Sequence, residues 1–154
     1  MLAEELAEQI HHDPDRWRPL VLTNGCFDLL HAGHVRYLTQ ARALGRSLVV
    51  GLNSDRSVQA LKGKQRPIVT ASERAEVLMG LKAVDAVVIF DDLTADRLIT
   101  TLRPDIYVKG GDYTPQTLPE APTVQGIGGK IVLIPIEINT STTKILQAIA
   151  NSLL

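Results

Sequence analysis

Cysteine is almost missing from this sequence: Cys26 is the one example, so no disulfide can form within the chain. That usage fits a reducing, cytoplasmic compartment. Net charge is equally scarce. The formal balance is −1 with no basic tail or patch, which argues against a dedicated nucleic-acid binder. No apolar run approaches the roughly 20 residues of a membrane span. The first ten residues carry glutamates at positions 4, 5 and 8, not the basic start and apolar centre of a signal peptide. Internal repeats and low-complexity linkers are absent. The run Gly126-Ile127-Gly128-Gly129 is not followed by Lys-Ser/Thr at the required spacing, so it is no P-loop.

What is present describes a soluble globular protein. Hydrophobic residues make up 45% and charged residues 21% of 154 positions, enough for a single domain with one substantial core. Five apolar runs, 20–22, 47–52, 86–90, 106–108 and 131–134, read as strands. Their hydrophobicity is continuous, as in a parallel sheet buried on both faces. Helical patterns lie between them at 33–44, 55–61, 71–81, 94–102 and 141–153. Ser72 and Thr94 suit N-caps, and Gly45 and Gly80 suit helix stops. Residues 1–19 form an N-terminal extension, a helix over 2–11 cut off by Pro14 and Pro19. The irregular stretch 110–129 has room for one short helix. Strand–helix alternation predicts an α/β, Rossmann-like doubly wound sandwich: a five-stranded parallel sheet flanked by helices.

Ligands bind such sheets outside the carboxyl ends of the strands. Those ends carry Thr23–Asp28, Asn53-Ser54-Asp55, Asp91-Asp92, Lys109-Gly110-Gly111-Asp112-Tyr113 and Asn139–Thr143. The most telling segment is Thr23-Asn24-Gly25-Cys26-Phe27-Asp28-Leu29-Leu30-His31-Ala32-Gly33-His34. It hands a buried strand over to an amphipathic helix. Backbone N–H groups are unpaired at such a helix start and the helix dipole favours anions. Two imidazoles and two glycines there suit a polyphosphate. A zinc site would need three or four ligands, and the other histidines, His11 and His12, sit in the N-terminal helix.

The segment TNGCFDLLHAGH resembles the HxGH signature of the nucleotidyltransferase superfamily. Ser141-Thr142-Thr143 resembles that superfamily's second, phosphate-binding signature. The match extends from Leu20 to Ala150 through GLNSDRSVQALKG, Arg66-Pro67, Val84-Asp85, Arg103-Pro104-Asp105, VKGGDY and STTKI. It is strongest to the bacterial D-glycero-β-D-manno-heptose 1-phosphate adenylyltransferases, whose activity often forms the C-terminal half of a bifunctional kinase–adenylyltransferase. Of these motifs VKGGDY discriminates best. No kinase half is present, so the resemblance implies a stand-alone adenylyltransferase. Glycerol-phosphate cytidylyltransferases carry an arginine where this chain reads Ile136-Glu137-Ile138. Asn139 replaces a common glycine, and asparagine tolerates left-handed backbone.

The resemblance implies that ATP, with Mg²⁺ carried on its phosphates and not by protein ligands, donates AMP to a sugar phosphate. His31, His34 and Lys62 are the expected catalytic residues. Asn24, Gly25, Cys26, Phe27, Gly33, Ser141, Thr142 and Thr143 join the two histidines around the nucleotide. Asp28, Asn53, Lys109, Gly110, Gly111 and Asp112 are expected at the acceptor. Asp28 is a candidate to contact either the metal or the acceptor, the alternative being a carboxylate at the helix entry. Lys109 meets an acceptor phosphate or is simply solvated. Lys62 falls in a basic segment, 62–66, that either closes over the phosphates or stays solvated. Cys26 is expected to pack and not to act as a nucleophile, and Trp17 and Tyr37 to pack and not to stack on a base. Such proteins often dimerise, so a homodimer is open. The alternatives are a cytidylyltransferase for glycerol 3-phosphate and a nucleotide-binding module without turnover.

Overall fold

The computed structural model describes residues 1–111, 113–135 and 140–153; the expectations for Asp112, the 136–138 run and Asn139 lie outside them. Five strands form one parallel sheet: β1 (Leu20–Gly25), β2 (Ser47–Asn53), β3 (Ala86–Phe90), β4 (Ile106–Gly110) and β5 (Lys130–Ile134). Their spatial order is β3-β2-β1-β4-β5. The chain winds outward one way from β1 and the other way from β4. The switch point, where such sheets open a crevice, therefore lies between the carboxyl ends of β1 and β4.

Eight helices flank the sheet among the described residues: α1 (Ala3–His12), α2 (Pro14–Trp17), α3 (Ala32–Arg42), α4 (Asp55–Lys62), α5 (Ala71–Met79), α6 (Asp96–Leu102), α7 (Ala121–Gly126) and α8 (Thr142–Ser152). Because side chains alternate along a strand, each strand feeds two cores. Leu20, Leu22, Val49, Val88 and Tyr107 pack with Leu6 and Ile10 of α1, Trp17, Leu98 and Ile99 of α6, and Val124 of α7. Val21, Leu48, Val50, Leu52, Val87 and Val108 pack on the opposite face with Leu38 and Ala41 of α3 and Leu78 of α5. The N-terminal extension thus belongs to the first core. Pro14 ends α1 as expected and also opens α2, where Asp13 accepts from the Arg16 N–H at 3.2 Å.

The structure corrects several boundaries. Four strands outrun their apolar cores, β1 to Gly25, β2 to Asn53, β4 to Gly110 and β5 from Lys130: Asn24 pairs with Gly51, Gly25 with Leu52, Asn53 with Phe90, and Gly110 with Ile134. Polar residues at a sheet edge still have ladder partners, which hydrophobicity alone does not reveal. The cap of α5 is Thr70, not Ser72, and that of α6 is Ala95, not Thr94. Both threonine hydroxyls bond nearby carboxylates instead, Glu73 and Asp96, at 2.7 Å each. Gly45 does not stop α3, which ends at Arg42; a Cβ there would come within 2.5 Å of the Pro19 carbonyl, so close packing requires the glycine. Gly80 does cap α5, and the irregular stretch does contain one short helix, α7.

Candidate active site

A cavity of about 930 Å³ opens at the switch point. Its floor is the carboxyl edge of the sheet, and strand alternation divides it into two halves.

The first half lies on the α3 side. His31 is the N-cap of α3, and its Nδ1 accepts from the Gly33 N–H at 3.1 Å. His34 Nδ1 in turn accepts from the His31 N–H at 3.3 Å. A Cβ on Gly33 would sit 2.9 Å from the His31 ring, so glycine lets the imidazole fold back over the helix start. The rings stack with centroids 3.9 Å apart, and Phe27 lies 5.4 Å from His34. Burial, with the neighbouring His31, lowers the His34 pKa to about 4. Burial also lowers that of His31. Both rings are therefore neutral at pH 7. Since each Nδ1 accepts a backbone proton, each ring carries its own proton on Nε2. Each imidazole lining the cavity thus keeps an N–H donor on Nε2.

The start of α8 faces the same space. Ser141 caps it, accepting from the Lys144 N–H at 3.1 Å, and Thr142 Oγ1 donates to the Leu29 carbonyl at 3.0 Å. That bond ties the STT signature to the loop before α3. Two helix N-termini and two imidazole donors converge, a combination suited to a polyanion. Gly25, Cys26, Phe27, Gly33 and Thr140–Thr143 all line this space. The Cys26 thiol is pushed up by burial, which outweighs the pull of Lys62, Arg74 and Lys109. It stays protonated, as a packing residue should.

Lys62 is the last residue of α4 and lines the cavity mouth. The backbone then turns at Gly63, with φ of 103°. Arg66 is anchored, its Nε donating to Asp28 Oδ2 at 2.8 Å. Asp28 also accepts from the Ile68 and Val69 N–H groups at 2.9 and 3.0 Å. Burial would raise the Asp28 pKa, but these bonds outweigh it and hold the carboxyl below its usual range. Its side chain, 1% exposed, is committed to fastening residues 66–69.

The second half lies on the α6 and α7 side. Alternation sends Asn24, Asn53 and Lys109 there, in line with Leu22, Val49 and Tyr107. Tyr107 donates its hydroxyl proton to Asn24 Oδ1 at 2.5 Å, and Lys109 Nζ donates to the Asn24 carbonyl at 3.2 Å. Asn53 Nδ2 donates to Ser57 Oγ at 2.9 Å. Lys109 lies 5.9 Å from the Tyr113 ring, and burial lowers its pKa. Gly110 and Gly111 also line the cavity; Gly110 shares the parity of Val108 and faces α3, where a Cβ would press within 3.1 Å of Tyr37. Leu93, Thr94, Pro119 and Glu120 close this end.

Tyr37 packs as expected, its hydroxyl paired with Thr23 at 2.6 Å and donating to the Val108 carbonyl at 3.1 Å. Trp17 is buried far from the cavity, against α1 and α6. Arg74 escaped sequence reasoning. Its side chain is 1% exposed and donates to the carbonyls of Cys26 at 2.6 Å, Asn53 at 2.9 Å and Val69 at 2.9 Å, and to Asp55 at 2.8 Å. One guanidinium thus holds the ends of β1 and β2 together. Among the described residues no group of three or more His, Cys, Asp or Glu is placed to hold a metal ion, and no helix is long and apolar enough to cross a membrane.

Comparison with known proteins agrees with this geometry. The bifunctional protein HldE of Syntrophotalea carbinolica is 50% identical over 148 residues, covering 96% of this chain and 30% of that protein. HldE of Koribacter versatilis is 54% identical over 136 residues, covering 86% of this chain and 28% of that protein. The chain thus spans under a third of the length of these relatives. A crystal structure of a lipopolysaccharide core biosynthesis protein from Thermoplasma volcanium superposes with a TM-score of 0.63 at 27% identity, over 78% of this chain and 97% of that one. A protein of unknown function from Archaeoglobus fulgidus, 20% identical, shares the fold with a TM-score of 0.58 over 79% and 93%. The cytidylyltransferase-like family model matches residues 22–148, from β1 into α8, and this chain belongs to that family.

Proposed function

We propose that this chain transfers AMP from ATP to a heptose 1-phosphate, releasing pyrophosphate and forming an ADP-heptose of the kind lipopolysaccharide assembly consumes. The observation that carries this reading is the pair of neutral imidazoles, each with Nε2–H free, set between the N-termini of α3 and α8. The likeness to HldE supports the choice of nucleotide and acceptor that the sequence motifs imply.

The chemistry follows from charge. An oxygen of the sugar phosphate attacks the α-phosphorus of ATP in line; the bond to the bridging oxygen breaks, and pyrophosphate leaves with that electron pair. The nucleophile is already an anion, so no strong base is required. The protein must hold two polyanions together and stabilise charge on the leaving group. Hydrogen bonds from His31 and His34 and the backbone N–H groups of α3 and α8 do this. Lys62 adds a positive charge from the cavity mouth. Asn53 and Lys109 face the acceptor. A divalent ion, when bound, would neutralise phosphate oxygens; with no protein cage among the described residues, it would be held mainly by substrate oxygens and water.

A matrix of ATP and CTP against heptose 1-phosphate, hexose 1-phosphates and glycerol 3-phosphate tests the reading. Pyrophosphate release should be fastest with ATP and heptose 1-phosphate. Equal or better use of CTP with glycerol 3-phosphate would replace it with a cytidylyltransferase. Nucleotide binding without turnover in every cell of the matrix would leave a binding module.

A further inference from the structure

Glu120 is buried at the N-cap of α7, on the wall of the cavity's second half. One carboxylate oxygen, Oε1, accepts from the Ala95 N–H at 3.3 Å. The other, Oε2, is shielded from solvent and has no hydrogen-bond partner among the described residues. Buried acceptors are nearly always satisfied, and leaving one without a donor is costly, more so on an acidic group. Glutamine would serve Ala95 equally well, and the carboxylate's charge also favours the protonated form of the buried Lys109. Lys109, across the same space, spends its buried ammonium on a backbone carbonyl and not on this carboxylate.

The groups around this end are chemically mixed in an informative way. Asn24 and Asn53 already have partners, Thr94 is tied to Asp96, and Leu93 and Pro119 are apolar. A phosphate would be repelled by Glu120 and belongs with the imidazoles. What the free acceptor lacks is a neutral O–H donor. We propose that Glu120 determines acceptor specificity, its free carboxylate oxygen receiving a hydrogen bond from a hydroxyl of a polyhydroxylated acceptor. This assignment deepens the sugar-phosphate reading of the cavity and rests on it. It predicts selection against acceptors lacking that hydroxyl, because a deoxy analogue leaves the buried oxygen unpaired.

The test uses the full chain, with calorimetric binding of a sugar 1-phosphate and its monodeoxy analogues as the main readout and turnover beside it. In the natural sequence one deoxy position should weaken binding roughly 10- to 100-fold. In Glu120→Ala the parent sugar phosphate should lose about as much, and the same deoxy position should then cost nothing further. The KM for ATP should stay within about twofold. Glu120→Gln, which keeps the shape and the Ala95 bond, should melt no lower than the natural chain while binding the sugar more weakly. A purely structural Glu120 would leave sugar affinity unchanged in Glu120→Gln whatever that variant's melting temperature, which overturns the proposal. Tight sugar binding that ignores both variants also overturns it and leaves the adenylyltransferase reading intact. Failure of the natural chain to bind any sugar 1-phosphate overturns both.

Discussion

The two halves of the cavity are built on opposite principles. On the α3 side the two imidazoles and the α8 cap are fixed by their immediate neighbours in sequence: His31 by Gly33, His34 by His31, Ser141 by Lys144, while Thr142 and Asp28 add long-range ties to Leu29 and Arg66. On the α6 and α7 side Asn53 and Thr94 bond near neighbours, but Tyr107 reaches Asn24 and Glu120 reaches Ala95 from afar. Local bonds give a rigid anion cradle that any nucleoside triphosphate could use. Assembled bonds can be changed by loop sequence without disturbing that cradle. Under the proposed reading, the imidazoles that would meet the nucleotide are held by local bonds, and the end that would meet the acceptor relies more on distant ones.

The sharpest way to break this division is to remove what joins the halves. Arg74 bonds the carbonyls that end β1 and β2. Arg74→Met should cost about 3 kcal/mol or more in urea unfolding, since buried carbonyls lose their donors and Asp55 its partner. Loss of under 1 kcal/mol would mean that the strand ends hold themselves.

Next in size are the imidazoles. His34→Ala and His31→Ala should each lower turnover about 10²-fold while the fold persists, as expected for a donor that acts on transition-state charge. The fall should be the same for every acceptor tried, because the cradle does not read the acceptor. A loss confined to one acceptor would blur the two halves into one.

Lys62 should follow, with a smaller effect. It is an exposed residue at a helix end, so Lys62→Ala should change stability by under about 0.5 kcal/mol. Turnover should still drop roughly tenfold if it neutralises the leaving group. Arg66 is tethered to Asp28, so only residues 62–65 are free to tighten. Hydrogen exchange there should slow with ATP and Mg²⁺ and stay unchanged at residues 66–69. Equal exchange with and without nucleotide would remove Lys62 from the machinery.

The same contrast explains what could be read without a structure. The cradle was legible because strand, turn and helix are contiguous, and because Gly33 and the paired histidines have one economical arrangement. Asn53 and Lys109 were singled out by the strand-end rule, and both line the cavity on one face of the sheet. Asp28 was legible as important but not in its role, since Arg66 and the 68–69 backbone that occupy it lie far along the chain. Arg74 looks like any polar residue on a surface helix. Glu120 sits in a stretch with no periodicity, and its burial depends on how the α7 region packs against the start of α6.

The smallest predicted effect tests the neutral state of the imidazoles. Burial and His31 depress the His34 pKa to about 4 in the folded chain, against an unfolded value near 6.5. Between those values the unfolded chain binds more protons, so this histidine's contribution to stability is complete above pH 6.5 and is lost as pH falls toward 4. The cause is burial, which disfavours the charged ring, with His31 beside it adding to the effect. His31, shifted the same way, steepens the loss. Asp28 is depressed in the carboxylate sense, so its contribution disappears only at lower pH, and the two effects separate. The midpoint of urea unfolding should therefore fall between pH 6.5 and 4 in the natural chain and fall less in His34→Gln. A bound triphosphate favours the protonated rings and should flatten the slope further. If the natural chain and His34→Gln follow the same curve, burial does not hold the imidazole neutral, and the cradle lacks the neutral donors assigned to it.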